Sequence, residues 1–140
     1  MDWVTERIAI GNIEDVLDYV TLKEKGVDGI LCLNGFPGFI AHLGLFDWRL
    51  VTMIDGPGNA PELLRDALAH LRELAETCEG VLVHCAEGVS RSPFVVACYL
   101  AEQNAYDLEE TIQLVGQKRK DTIVSSQLLP LWKEYLALQK

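Results

Sequence analysis

Short apolar runs alternating with helix-period segments predict an α/β fold: one domain, residues 1–140, with a central, mostly parallel sheet of about four to five strands and helices on both faces. Two further observations support that class. Hydrophobic residues make up 49% of the chain and charged residues 24%, the balance of a globular domain with one core. No internal repeat, low-complexity tract or linker interrupts the alternation.

Taken in order, Val4 to Ile10 reads as the first strand. Ile13, Val16, Leu17 and Val20 follow at i, i+3, i+4 and i+7, the apolar stripe of a helix that stops at Gly26. Gly29 to Leu33 is a strand, Asn34 to Asp47 a loop containing Gly, Pro and Phe, and Arg49 to Ile54 the next strand. Pro61, tolerated in a first helical turn, opens a long amphipathic helix that buries Leu64, Leu68, Leu71 and Leu74 and is closed by Gly80. Val81 to Val83 is a buried strand. Ser92-Pro93 starts a helix whose Phe94 to Leu100 stretch is apolar nearly all round and therefore central. Asp107 with Glu110 forms a capping-box-like start to another helix, and Leu128, Leu131, Trp132 and Tyr135 mark a last one on the outside.

The stretch His84-Cys85-Ala86-Glu87-Gly88-Val89-Ser90-Arg91-Ser92-Pro93 carries the chemistry. A strand that turns abruptly into a helix leaves successive backbone N–H groups pointing into a concavity beside the positive end of the helix dipole, and phosphate fits there. Gly88 permits a turn that a side chain would obstruct, while Arg91 adds a planar fork able to grip two phosphoryl oxygens. Cys85 stands at the entrance of that cradle, where amide dipoles and Arg91 favour its thiolate, and the Ser92 hydroxyl can donate to the sulfur as it departs from phosphorus. Either Cys85 or Arg91 alone would read as core or surface; Gly, Arg and Ser at +3, +6 and +7 from one cysteine read as a phosphate-handling loop.

With those residues the chain resembles the cysteine-dependent phosphatases that carry a His-Cys-x5-Arg-Ser/Thr loop, and within them the small dual-specificity phosphatases. The resemblance runs from Arg7-Ile8-Ala9-Ile10-Gly11-Asn12, similar to the family's opening strand, to Gln127-Leu128 in its last helix. It implies that Cys85 is the nucleophile, Arg91 the phosphate clamp, Ser92 the leaving-group donor and His84 a residue that holds the loop. Residues 86–90 would supply backbone contacts to phosphate, sulfate or vanadate. Lys118-Arg119-Lys120 reads first as a complement to the negative end of its helix, but the resemblance also places Arg119 where some relatives carry an arginine that contacts a second phosphate or an acidic residue on the substrate. One departure concerns Ile123-Val124-Ser125-Ser126, where the family often has an Asn-containing segment that braces the loop.

Expelling an alkoxide or phenolate requires an acid. In an open α/β sheet, ligands gather beyond the carboxyl ends of the strands, which selects Asp55 over Asp47. Asp55 opens the glycine-rich run Asp55-Gly56-Pro57-Gly58-Asn59, able to move over a bound phosphate, and stands thirty residues ahead of Cys85, the family's spacing. The same residues would form a turn in any case.

The net charge of −9 disfavours nucleic acid and anionic membrane as partners, and Glu87 in the loop should repel a polyphosphorylated ring. No run is long enough for a membrane span and Met1-Asp2-Trp3 begins no signal peptide, so the expected compartment is a reducing cytoplasm and the expected state a monomer. Cys32, Cys78 and Cys98 lack CxxC spacing, so neither a disulfide framework nor a zinc site is expected, and the chemistry requires no cofactor or metal. Lone His42 and His70 read as structural. The resulting expectation is a phosphomonoester hydrolase acting through a phosphocysteine on phosphotyrosine and phosphoserine or phosphothreonine in proteins. The alternatives are the same chemistry on an RNA 5′-phosphate or small phosphoester, a sulfur-transferring or arsenate-reducing enzyme, and a non-catalytic phosphate-binding module.

Overall fold

The computed structural model describes residues 1–35 and 44–140, so the reading of His42 and most of the 34–47 loop lie outside the described residues. Among the described residues five strands form one sheet: β1 (Asp2–Trp3), β2 (Ile8–Gly11), β3 (Gly29–Cys32), β4 (Asp47–Leu50) and β5 (Val81–His84). Their order is β1-β2-β5-β3-β4, with every neighbouring pair parallel except the edge pair β1–β2. Among the described residues six helices accompany them: α1 (Ile13–Leu17), α2 (Tyr19–Glu24), α3 (Pro61–Thr77), α4 (Arg91–Asn104), α5 (Leu108–Lys118) and α6 (Leu129–Leu138).

Side-chain alternation explains the two layers. Ile8, Ile10, Leu31, Val81 and Val83 point to the larger core beneath α3, α4, α5 and α6. Ala9, Ile30 and Leu82, one residue out of step, point to a smaller core with Val16, Leu22, Val27 and Trp3. Both faces are covered, so the middle strands β2, β3 and β5 are buried along their whole length. Val81 is level with Ile8 and Gly29, and His84 with Gly11 and Cys32. Cys85 therefore leaves the carboxyl end of the central strand, between two equally long neighbours.

The α3 stripe is as expected: Leu64, Leu68, Leu71 and Leu74 are fully buried. Elsewhere tertiary context moves the boundaries. The expected strand Val4 to Ile10 is a hairpin instead, because the Thr5 hydroxyl accepts from Arg7 N (3.2 Å) and Ile8 N (3.0 Å) and folds β1 back antiparallel on β2. The helix expected to run to Gly26 breaks at Asp18, whose φ of −90° and ψ of 60° end α1 and whose carboxylate caps α2 at Thr21. The break turns Leu17 and Val20 outward, at 45% and 59% exposure, while Val16 and Leu22 take the core. Strand β4 starts two residues before Arg49 and closes at Leu50, although Val51 N→Cys32 O and Met53 N→Leu33 O (2.9 Å each) carry its course on toward Asp55. It is an edge strand, so Leu50 and Ile54 are exposed. At the amino end of β4, Asp47 binds Arg49 (2.8 Å), which also contacts His70 Nδ1 (3.0 Å) and Glu73 (2.6 Å), a structural use of both Asp47 and His70. Asp107 is the N-cap of α5 without a side-chain cap bond, and Gln127 and Leu128 precede α6.

α4 ends at Ala105 in the left-handed region, with φ 55° and ψ 35°, a position that glycine adopts without steric cost. Ala105→Gly is therefore expected to raise stability by about 1 kcal/mol, read as a higher urea midpoint with unchanged m value.

Candidate active site

The central strand ends at His84, the chain turns through residues 85–90, and α4 starts at Arg91. Gly88 stands at φ +69°, and a Cβ there would lie 2.5 Å from Gly11 O and 2.6 Å from Arg119 Nη2. Glycine is required on both counts.

Every carbonyl of the turn is engaged by the surrounding protein. Cys85 O accepts from His84 Nδ1 (3.4 Å), Ala86 O from Ile13 N (3.1 Å), and Glu87 O and Gly88 O from Arg119 (3.5 and 2.7 Å). Val89 O accepts from Ile123 N (2.8 Å) and Ser90 O from Phe94 N (2.9 Å). Each peptide is planar and trans, so fixing a carbonyl away from the cradle turns the following N–H into it. The result is the concavity of amide donors expected at a strand-to-helix turn.

Cys85, 2% exposed, sits at the floor with its Sγ 3.2 Å from Ser92 Oγ. Arg91 anchors one end of its fork on Met53 O (3.0 Å) and lines the same cleft. The cleft has a volume of ≈ 490 Å³, and Asp55, Glu87, Ile123 and Ser125 complete its walls. Asp55 Oδ1 accepts from Ser90 Oγ (2.6 Å), and that hydroxyl in turn accepts from Ser125 N (2.9 Å). Three chain segments thus meet at one serine oxygen. The acid-bearing loop is itself closed by Asn59, whose side chain bonds Ile54 N and Ile54 O (2.8 Å each) and Gly56 O (3.3 Å). The glycines there permit the turn, and Asn59 fixes it.

His84 is fully buried, and because a carbonyl can only accept, the ring donates from Nδ1 to Cys85 O. Burial pulls its pKa down to about 4, so the ring is neutral near neutrality. Burial pushes the Cys78 and Cys98 thiols up, and none of the four cysteines forms a disulfide. Among the described residues no cluster of His, Cys, Asp or Glu is placed to hold a metal ion, and no helix is long and apolar enough to cross a membrane.

The structure thus gathers Cys85, Arg91, Asp55, Ser92 and residues 86–90 about one cleft, with His84 beneath it. Arg119 departs from its expected place as a substrate contact. It is 6% exposed and lies behind the loop, with its guanidinium on Gly88 O, Glu87 O, Ile10 O (3.3 Å) and Asp2 (2.9 Å). The segment 123–126 does brace the loop without an asparagine, through the N–H groups of Ile123 and Ser125. The sequence reading missed Asn59, Ser125, and Ser90 as a side-chain donor, because each acts through a partner distant in the chain or through backbone.

Residues 58–135, more than half of the chain, match the family described as "Dual specificity phosphatase, catalytic domain". The chain belongs to that family. Among its relatives, the protein-tyrosine-phosphatase IBR5 of Arabidopsis thaliana is 29% identical over 135 residues, covering 93% of this chain and 48% of that protein. Human dual specificity protein phosphatase 9 is 28% identical over 121 residues, 84% of this chain and 31% of that protein. The chain therefore spans about half or less of the length of these curated relatives. The fold recurs in human tyrosine phosphatase-like serine/threonine/tyrosine-interacting protein, with a TM-score of 0.84, 20% identity and coverage of 99% of this chain and 97% of that one. It recurs also in human DUSP28, with a TM-score of 0.81, 20% identity and coverage of 99% and 98%. Within this family member, the loop, its arginine and its facing aspartate share one cleft.

His84 gives a test of loop burial. Its pKa of about 4 lies below the unfolded value of 6.5, so the unfolded chain takes up the proton first. The associated stability is complete above pH 6.5 and is lost as pH falls through 4, by up to about 3 kcal/mol. Urea unfolding of wild type and His84→Gln at pH 7.5 and 4.5 is expected to show the steeper acid loss in wild type; parallel losses would refute a buried neutral ring.

Proposed function

We propose that residues 1–140 form one catalytic domain that hydrolyses phosphomonoesters of tyrosine and of serine or threonine in proteins, through a phosphocysteine on Cys85. The observation that carries this reading is the cradle of outward-tied carbonyls with Cys85 Sγ at its floor and Asp55 at its wall.

A phosphoryl group entering the cleft is gripped by the N–H groups of residues 86–90 and by Arg91. Cys85 thiolate attacks phosphorus, the bond to the leaving oxygen breaks, and Asp55 gives that oxygen its proton. In the second step water attacks the phosphocysteine, its proton passes to the ionised Asp55, and the sulfur–phosphorus bond breaks. Ser92, 3.2 Å from the sulfur, donates to the returning thiolate, and inorganic phosphate leaves. Ser90 holds Asp55 in place for both proton transfers.

Dual specificity is supported by the relatives' family and by a cleft in which no aromatic side chain is found among the described lining residues. Glu87, exposed at the rim, disfavours polyphosphorylated ligands. Sulfate or vanadate would occupy the cradle as phosphate does. The thiol state of all four cysteines suits a reducing cytoplasm, the net charge of −9 suits neither nucleic acid nor an anionic membrane surface, and we take the domain to act as a monomer.

Cys85→Ser is expected to abolish turnover of aryl phosphate and phosphopeptides while still binding tungstate; substantial residual activity would rule out the covalent route. Asp55→Asn is expected to lower kcat by about a hundredfold, measured on phenyl phosphate. Ser90→Ala is expected to lower kcat about tenfold for phenyl phosphate and far less for p-nitrophenyl phosphate, whose leaving group needs little protonation. Equal losses on both would deny Ser90 a role in positioning the acid.

A further inference from the structure

We propose that Arg119 is a positioning residue for the phosphate loop, holding it in its anion-binding form from outside the cleft and itself latched by Asp2. This deepens the proposed phosphatase reading and rests on it.

Geometry first excludes the role that sequence resemblance suggested. An arginine that contacts a second phosphate must present its fork to solvent, whereas Arg119 is 6% exposed. Of its five N–H bonds, Nε–H is on Gly88 O (2.7 Å), two from Nη1 are on Asp2 Oδ2 (2.9 Å) and Ile10 O (3.3 Å), and one from Nη2 is on Glu87 O (3.5 Å). Among the described residues that line the cleft, Arg91 is the one cation.

The two loop carbonyls it binds belong to consecutive peptides. Holding Glu87 O and Gly88 O behind the loop fixes the N–H groups of Gly88 and Val89 on the opposite side, toward the anion. Without the guanidinium these two peptides would face a buried space with no donor, and a carbonyl rotated into the cradle would repel phosphate. The same guanidinium fills the volume under Gly88, where an added Cβ would come within 2.6 Å of Nη2. Its positive charge also adds to the field at the cradle without touching the ligand.

Asp2 supplies the one carboxylate in the arrangement. Its side chain is 46% exposed, against 7% for Arg119, so the pair lies at the edge of the protein and joins the β1 hairpin to the loop. Removing that carboxylate leaves the three carbonyl contacts in place, so the predicted order of effects is Arg119→Met, then Arg119→Lys, then Asp2→Asn. Lysine keeps the charge but cannot span two carbonyls as the fork does.

The test is calorimetric titration of inorganic tungstate into the Cys85→Ser protein carrying each change, with circular dichroism and thermal unfolding to follow the fold. The expected result is a dissociation constant raised about tenfold or more by Arg119→Met, less by Arg119→Lys and about threefold or less by Asp2→Asn, in protein that remains folded. Should Arg119→Met not fold, the graded weakening in Arg119→Lys and Asp2→Asn decides. In protein with Cys85 intact, Arg119→Lys should lower kcat/KM equally on singly and doubly phosphorylated peptides. Tungstate affinity unchanged in the folded variants, or a loss confined to doubly phosphorylated peptides, overturns the proposal. Failure of the phosphatase reading looks different: wild type would turn over no substrate while the tungstate series held.

Discussion

An anion cradle made of amide donors exists only if the other ends of the same peptides are satisfied elsewhere. In this protein the carbonyls of residues 85–90 all have partners in the surrounding structure: His84, the amide of Ile13, the guanidinium of Arg119 and the amides of Ile123 and Phe94. Those partners come from β5, α1, the end of α5, the segment before α6, and α4. The loop is thus a product of the whole fold, and its shape depends on four elements and the segment before α6 staying in register.

The sheet makes that register possible. Because β5 is flanked by β2 and β3 over the same length, the loop emerges between two strands whose own ends sit level with His84. Gly11 O lies within 2.5 Å of where a side chain on Gly88 would be, so the turn after β2 forms part of the wall beneath the loop. On the other side, α4 buries Phe94 through Cys98 without a polar break, which gives Ser92 and Arg91 a rigid base. Asp55 arrives from the edge of the sheet, where β4 has already ended and Met53 continues the chain by bonding Leu33 O.

Ser90 and Arg91 tie that edge to the centre. The Ser90 hydroxyl joins Asp55 to the Ser125 amide, and Arg91 reaches Met53 O two residues before Asp55. A carboxylate beyond the end of an edge strand is a weakly held group in principle; here two contacts from Ser90 and Arg91 and the internal bonds of Asn59 set the position of its segment. Asp55 and Cys85 are consequently parts of one mechanical unit.

The residues of the loop, the alternation of elements and the α3 stripe were legible in the chain because each depends on neighbours a few positions away: Gly88 on a turn, Leu64 to Leu74 on helical period, Cys85 to Ser92 on fixed spacing. Asp55 could be chosen because strand polarity dictates which end faces a ligand. The break at Asp18, the hairpin at Thr5 and the short edge strand β4 were decided by packing against the sheet, where one residue's shift exchanges core and solvent faces. Arg119 shows the division most plainly. Its sequence position marks it as a cation at the end of a helix, but whether that cation faces a ligand or the back of the loop depends on Gly88, Ile10 and Asp2, which lie 31, 109 and 117 residues away in the chain. Spacing determined which chemical groups this protein possesses; only tertiary structure decided toward which oxygens they point, because hydrogen bonds between distant segments have no periodicity to announce them.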